Sequence, residues 1–201
     1  MILIGYSGHA LVVYSILNAL GQVVTGYYDN REKEFNPYNL SYLGSEKSET
    51  ALKVLNTNDF FISVGDNNIR KNIYDYLASK QRLPINAIHP SAIVSKDSHL
   101  FSNGVMISAG VIINPLSKIA DGVICNTGCI IEHECVIGNF SHIGPGAVLC
   151  GNTHIGEKTF VGAGAVIRQG IIIGSNVIIG AGSVVVKNVP DNSTIMGCPA
   201  K

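Results

Sequence analysis

An aliphatic residue recurs at every sixth position from Ile107 to Val185, and this period constrains the fold more than any other feature of the chain. Only Cys125 interrupts the series, and cysteine packs as a small hydrophobe. A second position, four residues further on in each hexad, holds mostly small or β-branched residues. An α-helix would need a period near 3.6 and a two-faced strand a period of 2. The hexads therefore predict a parallel β-helix with three hexads in each triangular coil.

The overall composition supports a β-rich repeat. Hydrophobic residues make up 46% of the chain, charged residues only 14%, and there are 22 glycines, which favours many turns over a helical bundle. The formal net charge is zero, so no nucleic-acid partner is expected. The five cysteines are odd in number and lie within the repeat, which favours packed, reduced thiols over disulfides or metal ligands.

The apolar N-terminal stretch resembles neither a signal peptide nor a membrane span. It has no basic start, and Gly5, Ser7 and Gly8 interrupt it well short of the roughly 20 apolar residues that a span needs. We expect a cytoplasmic protein with no insertion into a membrane.

Before the hexads, short apolar runs alternate with segments of helical pattern. Strands are expected at residues 1–4, 23–28, 60–64 and 85–88. Helices are expected at residues 10–20, 46–55 and 68–80. This alternation predicts a small parallel, Rossmann-like α/β domain over residues 1–88, followed by the all-β helix over residues 89–201. The boundary is set at His89-Pro90, because proline removes a ladder donor.

Several residues follow the first three predicted strands at their carboxyl ends, where ligands bind in parallel sheets. They are Ser7, Gly8, His9, Asp29, Asn30 and Gly65. Glycine and a helix start suit a phosphate, and Asp29 could accept a hydrogen bond from a ribose or base. Gly5 and Gly8 lack the third glycine of the full dinucleotide motif, however, so tight strand-to-helix turns explain them equally well. A capping or surface role likewise explains His9.

The segment Glu132-His133-Glu134 is unusual in a repeat with few histidines and carboxylates. Ile131 and Cys135 occupy the two recurring positions of their hexad. His133 and Glu134 lie between them, which puts both at a corner, pointing outward. The simplest interpretation of the pattern is an exposed corner histidine. A histidine beside carboxylates can also act as a general base near neutral pH.

Five segments together carry a more specific resemblance than the hexads do. They are Gly5-Tyr6-Ser7-Gly8-His9, Gly65-Asp66-Asn67, the run from Ile131 to Gly138, Phe140-Ser141-His142, and Gly197-Cys198-Pro199-Ala200-Lys201. This combination resembles the nucleotide-amino-sugar N-acetyltransferases of bacterial glycan synthesis, in particular the UDP-N-acetylbacillosamine type, which is related to sialic acid O-acetyltransferases. The hexads resemble the left-handed β-helix superfamily of hexapeptide-repeat proteins. The resemblance implies a homotrimer with active sites between subunits.

The resemblance also implies a role for each matching residue. His133 would take a proton from the 4-amine of a nucleotide-linked, UDP-type 4-amino-4,6-dideoxy sugar as the amine attacks acetyl-CoA, and Glu134 would make His133 more basic. The acetyl-CoA contacts would be His142, Gly162, Ala163, Gly180 and Ala181. Ser7, Gly8, His9, Asp29, Asn30 and Gly65 would contact the nucleotide sugar. Asn30 departs from relatives that carry Asp there, and the end at Lys201 predicts a reduced C-terminal contribution to CoA binding.

Other functions remain compatible with the sequence. The same scaffold and base could O-acetylate a sialic acid or a related sugar, because the fold does not fix the acceptor atom. A zinc hydratase of the β-helix type would need three converging histidines, and His133 and His142 are half a coil apart in sequence. We therefore expect no bound metal. A scaffold without activity would show no affinity for CoA.

Overall fold

The computed structural model describes residues 1–100 and 102–201. The N-terminal part is a four-stranded parallel sheet in the order β3-β2-β1-β4, and it confirms the predicted small α/β sheet. Its strands are β1 (Ile2–Ile4), β2 (Gly26–Tyr28), β3 (Ser41–Tyr42) and β4 (Phe60–Ile62). Its helices are α1 (Gly8–Ala19), α2 (Glu49–Thr57) and α3 (Asn67–Ser79). Strand β3 was not predicted, because Ser41–Tyr42 is too short to show a period.

The C-terminal part is the predicted left-handed parallel β-helix, with residues eighteen positions apart paired between coils, such as Ile124 and His142. Three sheets form its faces. The first face holds β5 (Ala87–Ile88), β7 (Met106–Ile107), β10 (Ile124–Cys125), β13 (His142–Ile143), β16 (Phe160–Val161), β19 (Ile178–Ile179) and β21 (Thr194–Ile195). The second holds β6 (Ile93–Val94), β8 (Ile112–Ile113), β11 (Ile130–Ile131), β14 (Val148–Leu149), β17 (Val166–Ile167) and β20 (Val184–Val185). The third holds β9 (Lys118–Ile119), β12 (Val136–Ile137), β15 (His154–Ile155) and β18 (Ile172–Ile173).

The strand predicted at residues 85–88 does not complete the α/β sheet, so that part of the prediction is wrong. The Ile85 amide donates to the carbonyl of Phe60, the first residue of β4, but Ala87 and Ile88 pair with Met106 and Ile107 of the β-helix. The chain thus passes from one sheet to the other within three residues. The first β-helix strand lies before His89-Pro90, and the division at residue 88 stays a prediction.

The interior of the β-helix is filled by the predicted hexad residues, which form one continuous buried cluster from Val105 to Val189. Cys125, Cys129 and Cys135 are buried within it as packed thiols, whereas the free thiols of Cys150 and Cys198 are half-buried and exposed. Close stacking of these side chains makes the β-helix a stiff support for residues at its corners.

The α/β part packs on the first face of the β-helix. Met106 and Ile124 point outward from that face and are buried against Ala10, Val13 and other residues around α1. Phe140, at the adjoining corner, packs against Tyr74 of α3 with ring centroids 5.1 Å apart. This packing brings the carboxyl edge of the α/β sheet against the first face. Within residues 1–100 and 102–201, no helix is long and apolar enough to cross a membrane.

Candidate active site

The carboxyl edge of the α/β sheet gathers the predicted nucleotide-sugar residues. Ser7, Asp29 and Asn30 line one cleft of about 340 Å³, whose wall also includes Lys47 and Val64. Ser7 precedes α1 but makes no side-chain cap, and the first turn of α1 contains no acidic residue. The amide groups at this helix start therefore remain available to an anion such as a diphosphate.

Asp29 is already engaged within the protein. Its Oδ2 accepts the Tyr6 amide at 2.9 Å, and its Oδ1 lies 3.0 Å from Lys33 Nζ. The carboxylate thus holds the turn after β1 in place and is neutralised by a cation. A carboxylate can accept further hydrogen bonds, so a ligand contact by Asp29 remains compatible with these interactions.

Gly65 and His9 connect this edge to the β-helix. A Cβ added to Gly65 would lie 3.6 Å from His9 Cγ, and the His9 ring lies 6.0 Å from the His142 ring, centroid to centroid. His142 is on β13 and points outward from the first face, where it also contacts Phe160 edge-on at 5.0 Å. Gly65, His142 and Phe160 share a cavity of about 470 Å³. The structure therefore places the nucleotide-sugar edge next to a predicted acetyl-CoA contact.

Arg70 of α3 fixes this arrangement, and its role was not visible in the sequence. Its guanidinium is fully buried and donates five hydrogen bonds of 2.7 to 3.1 Å. Two go to the carbonyls of Val64 and Gly65, one goes to Asn67 Oδ1, and two cross to the Gly122 and Phe140 carbonyls of the β-helix. These bonds satisfy all the donors of the guanidinium. Arg70 thus ties the Gly65 turn to the β-helix.

The buried Arg70 cation also affects the two nearby histidines. Burial lowers the pKa of His9 to about 4, and the positive charge of Arg70 contributes to this shift. Burial lowers the pKa of His142 to about 3, again with a contribution from Arg70 and a further one from His9. Both imidazoles are consequently neutral at physiological pH. His9 Nε2 has no hydrogen-bond partner among the described residues, whereas a backbone hydrogen bond to Gly65 partly offsets the lowering of the His142 pKa.

His142 is held on its other side by Asn126, a residue that the sequence analysis did not select. Asn126 lies at the corner between the first and second faces, and its Nδ2 is 3.1 Å from His142 Nε2. Its Oδ1 accepts the Thr127 amide at 2.8 Å. No periodic signal marks such a residue, because corner positions tolerate most polar side chains.

His133 and Glu134 lie at the corner between the second and third faces, and both are exposed as predicted. His133 Nδ1 is 3.0 Å from Glu134 Oε2. A carboxylate only accepts hydrogen bonds, so Nδ1 carries the proton and the Nε2 lone pair of the neutral ring is free. The ring lies over Gly151 of the next coil, where an added Cβ would overlap His133 Nε2. Gly151 thus leaves the room that the His133 ring occupies.

The remaining predicted acetyl-CoA contacts form a column at the corner that also holds Asn126. Gly144, Gly162 and Gly180 follow one another at intervals of eighteen residues, and Ala163 and Ala181 are exposed beside them. The glycines have a packing reason of their own, because a Cβ on Gly162 would lie 2.5 Å from the Ala181 nitrogen in the next coil. The corner is consequently narrow and lined by small groups, as an extended pantetheine arm requires.

One chain brings together some of the predicted residues and separates others. The nucleotide-sugar edge, His142 and the glycine column all adjoin the first face. His133 and Glu134 occupy the corner opposite that face. His133 therefore does not adjoin the nucleotide-sugar edge of its own chain. Within residues 1–100 and 102–201, no group of three His, Cys, Asp or Glu residues lies together in a way that could hold a metal ion.

Comparison with protein-family models matches both parts of the chain. Residues 1–77 match the PglD N-terminal domain, and residues 152–187 match the bacterial transferase hexapeptide (six repeats). Among curated proteins, the UDP-N-acetylbacillosamine N-acetyltransferase of Bacillus subtilis (strain 168) is 37% identical over 109 residues. That alignment covers 53% of this chain and 50% of the length of the relative.

Solved structures match over the whole chain. PerB from Caulobacter crescentus, in complex with CoA and GDP-perosamine, is 37% identical with a TM-score of 0.91, covering 100% of this chain and 95% of PerB. The acetyltransferase domain of PglB from Neisseria gonorrhoeae FA1090, in complex with acetyl coenzyme A, is 35% identical with a TM-score of 0.89, covering 100% of this chain and 97% of that domain. Both resemblances include the α/β part as well as the β-helix.

Proposed function

Because this chain belongs to the sugar N-acetyltransferases of the PglD and PerB type, we propose that it transfers an acetyl group from acetyl-CoA to the 4-amino group of a nucleotide-linked 4-amino-4,6-dideoxy sugar. The observation that carries this proposal is the nucleotide-sugar edge lying beside His142, with Arg70 joining the two parts. A nucleotide part alone or a β-helix alone would not require that junction. The product would serve bacterial glycan synthesis in the cytoplasm.

The nucleotide sugar is proposed to bind at the start of α1. The diphosphate accepts hydrogen bonds from the free amides near Ser7, Gly8 and His9, and the ribose or base lies toward Asp29 and Asn30. Gly65 borders the sugar on the β-helix side. The curated Bacillus relative is named for a UDP sugar, and UDP is our first choice of carrier, while PerB was solved with a GDP sugar.

His133 is proposed as the general base. Its free Nε2 accepts a proton from the attacking amine, while Glu134 accepts the Nδ1 proton and stabilises the imidazolium that forms. The amine nitrogen attacks the thioester carbonyl carbon, the carbon–sulfur bond breaks, and CoA leaves as the thiol after receiving the proton. Because His133 lies opposite the first face, it acts on a sugar held by a neighbouring chain. We infer a homotrimer with sites between subunits.

The function is tested by following CoA thiol release with UDP-, GDP- and dTDP-linked 4-amino-4,6-dideoxy sugars. We expect transfer with at least one of them, and a loss of roughly 10² to 10⁴-fold in kcat for His133→Ala. His154→Ala is the matched control, because His154 is an exposed histidine of the third face outside the proposed site. Wild-type rates in His133→Ala would refute the role of His133.

The same acceptors distinguish the proposed reaction from O-acetylation. An acceptor with its 4-amine blocked should show no transfer, and the mass of the product made with the free amine should rise by one acetyl group. Acetylation of the blocked acceptor would show that a hydroxyl is the acceptor. A thermal-shift measurement with each nucleotide sugar, with and without CoA, reports binding independently of turnover.

A further inference from the structure

The orientation of the Asn126 side chain is fixed by its two neighbours. The Thr127 backbone amide can only donate, so the Asn126 atom 2.8 Å from it must be the carbonyl oxygen Oδ1. The opposite atom of the amide is therefore Nδ2, which only donates. It faces His142 Nε2 at 3.1 Å, so that nitrogen must accept.

This orientation also determines the state of His142. A neutral imidazole whose Nε2 accepts a hydrogen bond carries its single proton on Nδ1. In a doubly protonated ring, the Nε2–H group would face the Nδ2–H group of Asn126, and two donors cannot form a hydrogen bond. Burial of the ring and the nearby Arg70 cation both favour the neutral form. His142 is therefore an obligatory acceptor, and it holds Asn126 in one rotamer.

Only one polar hydrogen of Asn126 remains without a partner among the described residues. Nδ2 has two hydrogens, and His142 takes one of them. The side chain is half-buried, and Thr127 beside it is exposed, so the Asn126 amide is accessible to a ligand at this corner. Asn126 stands one coil before Gly144 in the same column as Gly162 and Gly180.

From this geometry we infer that Asn126 is a further catalytic residue, whose free Nδ2 hydrogen binds the carbonyl oxygen of the acetyl thioester and stabilises the oxyanion formed during transfer. His142 is its positioning residue. The inference rests on the proposed function, in which the glycine column carries the pantetheine arm and His142 lies at the acetyl end. A donor held by two fixed neighbours needs little reorganisation when charge develops on the oxygen.

The amine lone pair forms a bond to the carbonyl carbon, and the carbonyl π electrons move onto the oxygen that faces Asn126. The oxyanion then re-forms the double bond, and the CoA sulfur leaves with the bonding pair of the carbon–sulfur bond. The amine proton passes to His133 and on to the thiolate. Asn126 exchanges no proton and no electrons.

The test uses two substitutions of Asn126 in the full-length protein. Asn126→Asp keeps the shape and the acceptor for Thr127 but removes both donors, and Asn126→Ala removes the side chain without adding charge. We expect both to lower kcat by about 10² to 10³-fold, as the loss of one oxyanion donor does, with KM for the nucleotide sugar within about threefold of wild type. A kcat within about threefold of wild type in both folded variants would overturn the inference.

Asn139→Asp is the matched control. Asn139 is also a corner asparagine of the β-helix whose Oδ1 accepts a backbone amide, that of Asp121 at 3.1 Å, but it lies at the corner between the third and first faces. The change in charge and chemistry is the same as in Asn126→Asp. We expect Asn139→Asp to retain wild-type kcat, and an equal loss in both variants would assign the effect to charge and overturn the inference.

A measurement without any acceptor separates this inference from the proposed function. The affinities of acetyl-CoA and CoA are measured by calorimetry for wild type and Asn126→Ala. A donor to the thioester oxygen predicts that the substitution weakens acetyl-CoA several-fold more than it weakens CoA. Equal weakening of the two ligands would overturn the inference even if the enzyme acts on a different sugar.

The positioning role of His142 is tested by the ¹⁵N chemical shifts of its ring. We expect an unprotonated Nε2 and a protonated Nδ1 in the wild-type protein. In Asn126→Asp the new carboxylate only accepts hydrogen bonds, so it should draw a proton to Nε2. A protonated Nε2 in the wild-type protein would overturn the assignment of the Asn126 rotamer.

Discussion

His9 and His142 are buried beside a cation, and this couples the stability of the protein to pH. Their pKa values in the folded state are lowered to about 4 and about 3, whereas an unfolded chain binds protons at its histidines below about pH 6.5. As the pH falls through this range the unfolded state gains protons that the folded state does not. Stability therefore decreases as the pH falls from about 6.5 toward 5.

We expect each of these histidines to contribute a slope of up to about 1.4 kcal/mol per pH unit to the free energy of unfolding in that window. The slope is measured by urea unfolding at a fixed protein concentration between about pH 7 and pH 5, above the range in which most carboxylates titrate. His9→Gln should reduce the slope by the share of one histidine, because it removes a group whose pKa is lowered by burial. An unaltered slope in His9→Gln would contradict the assignment.

Arg70 and Asn126 show where sequence reasoning stops at this scale. The helix around Arg70 was predicted, but the burial of Arg70 was not, because its partners include two β-helix carbonyls 52 and 70 positions away. Backbone carbonyls have no sequence signature, so a buried arginine without a carboxylate partner cannot be recognised from residue types. His133 was easier to find, because the hexad frame left it without a packing role.

The turns of the β-helix contain two kinds of glycine, which are required for different reasons. Glycines that directly follow an inward strand residue, as at Gly144, Gly162 and Gly180, have no positive φ but leave no room for a Cβ. The positive φ falls two residues later, as at Gly146, Gly164 and Gly182. The first kind lies against the backbone of the next coil, and the second kind turns the corner.

The two kinds should respond differently to alanine. Gly162→Ala places a Cβ 2.5 Å from the Ala181 nitrogen, so adjacent coils must separate, and we expect a loss of about 2 to 3 kcal/mol in stability. Gly164→Ala meets no atom within 4 Å and has only the strain of φ +66°, so about 1 kcal/mol is expected. Thermal or urea unfolding of the two variants gives the comparison, and a larger loss in Gly164→Ala would contradict the packing argument.

The elements themselves differ in how well the sequence predicts them. The hexads determine the β-helix because each period repeats many times, and the helices α1 and α3 lie within two residues of their predicted bounds. β5 was assigned to the wrong sheet because a two-residue strand carries no information on its neighbour. Its pairing with β7 depends on how the α/β part packs on the first face.

At the scale of the whole molecule, the position of His133 opposite the first face means that one chain cannot form a complete site. The nucleotide-sugar edge and Asn126 belong to one chain and the base to another, if the function is as proposed. A closed ring of three chains with identical interfaces would repeat this arrangement at each contact. Native mass spectrometry should therefore find a trimer.

Sharing of the site can be tested by mixing two inactive variants. His133→Ala removes the base, and Gly8→Asp places a carboxylate at the start of α1, where it repels a diphosphate; a Cβ at Gly8 meets no atom within 4 Å, so the variant should fold. In trimers assembled at random from equal amounts, about one quarter of the sites combine an intact base with an intact nucleotide edge from a neighbour. We expect about that fraction of wild-type activity from co-expressed variants, and almost none from either alone. Mixed trimers without activity would show that each site is built within one chain, and would require His133 to act elsewhere.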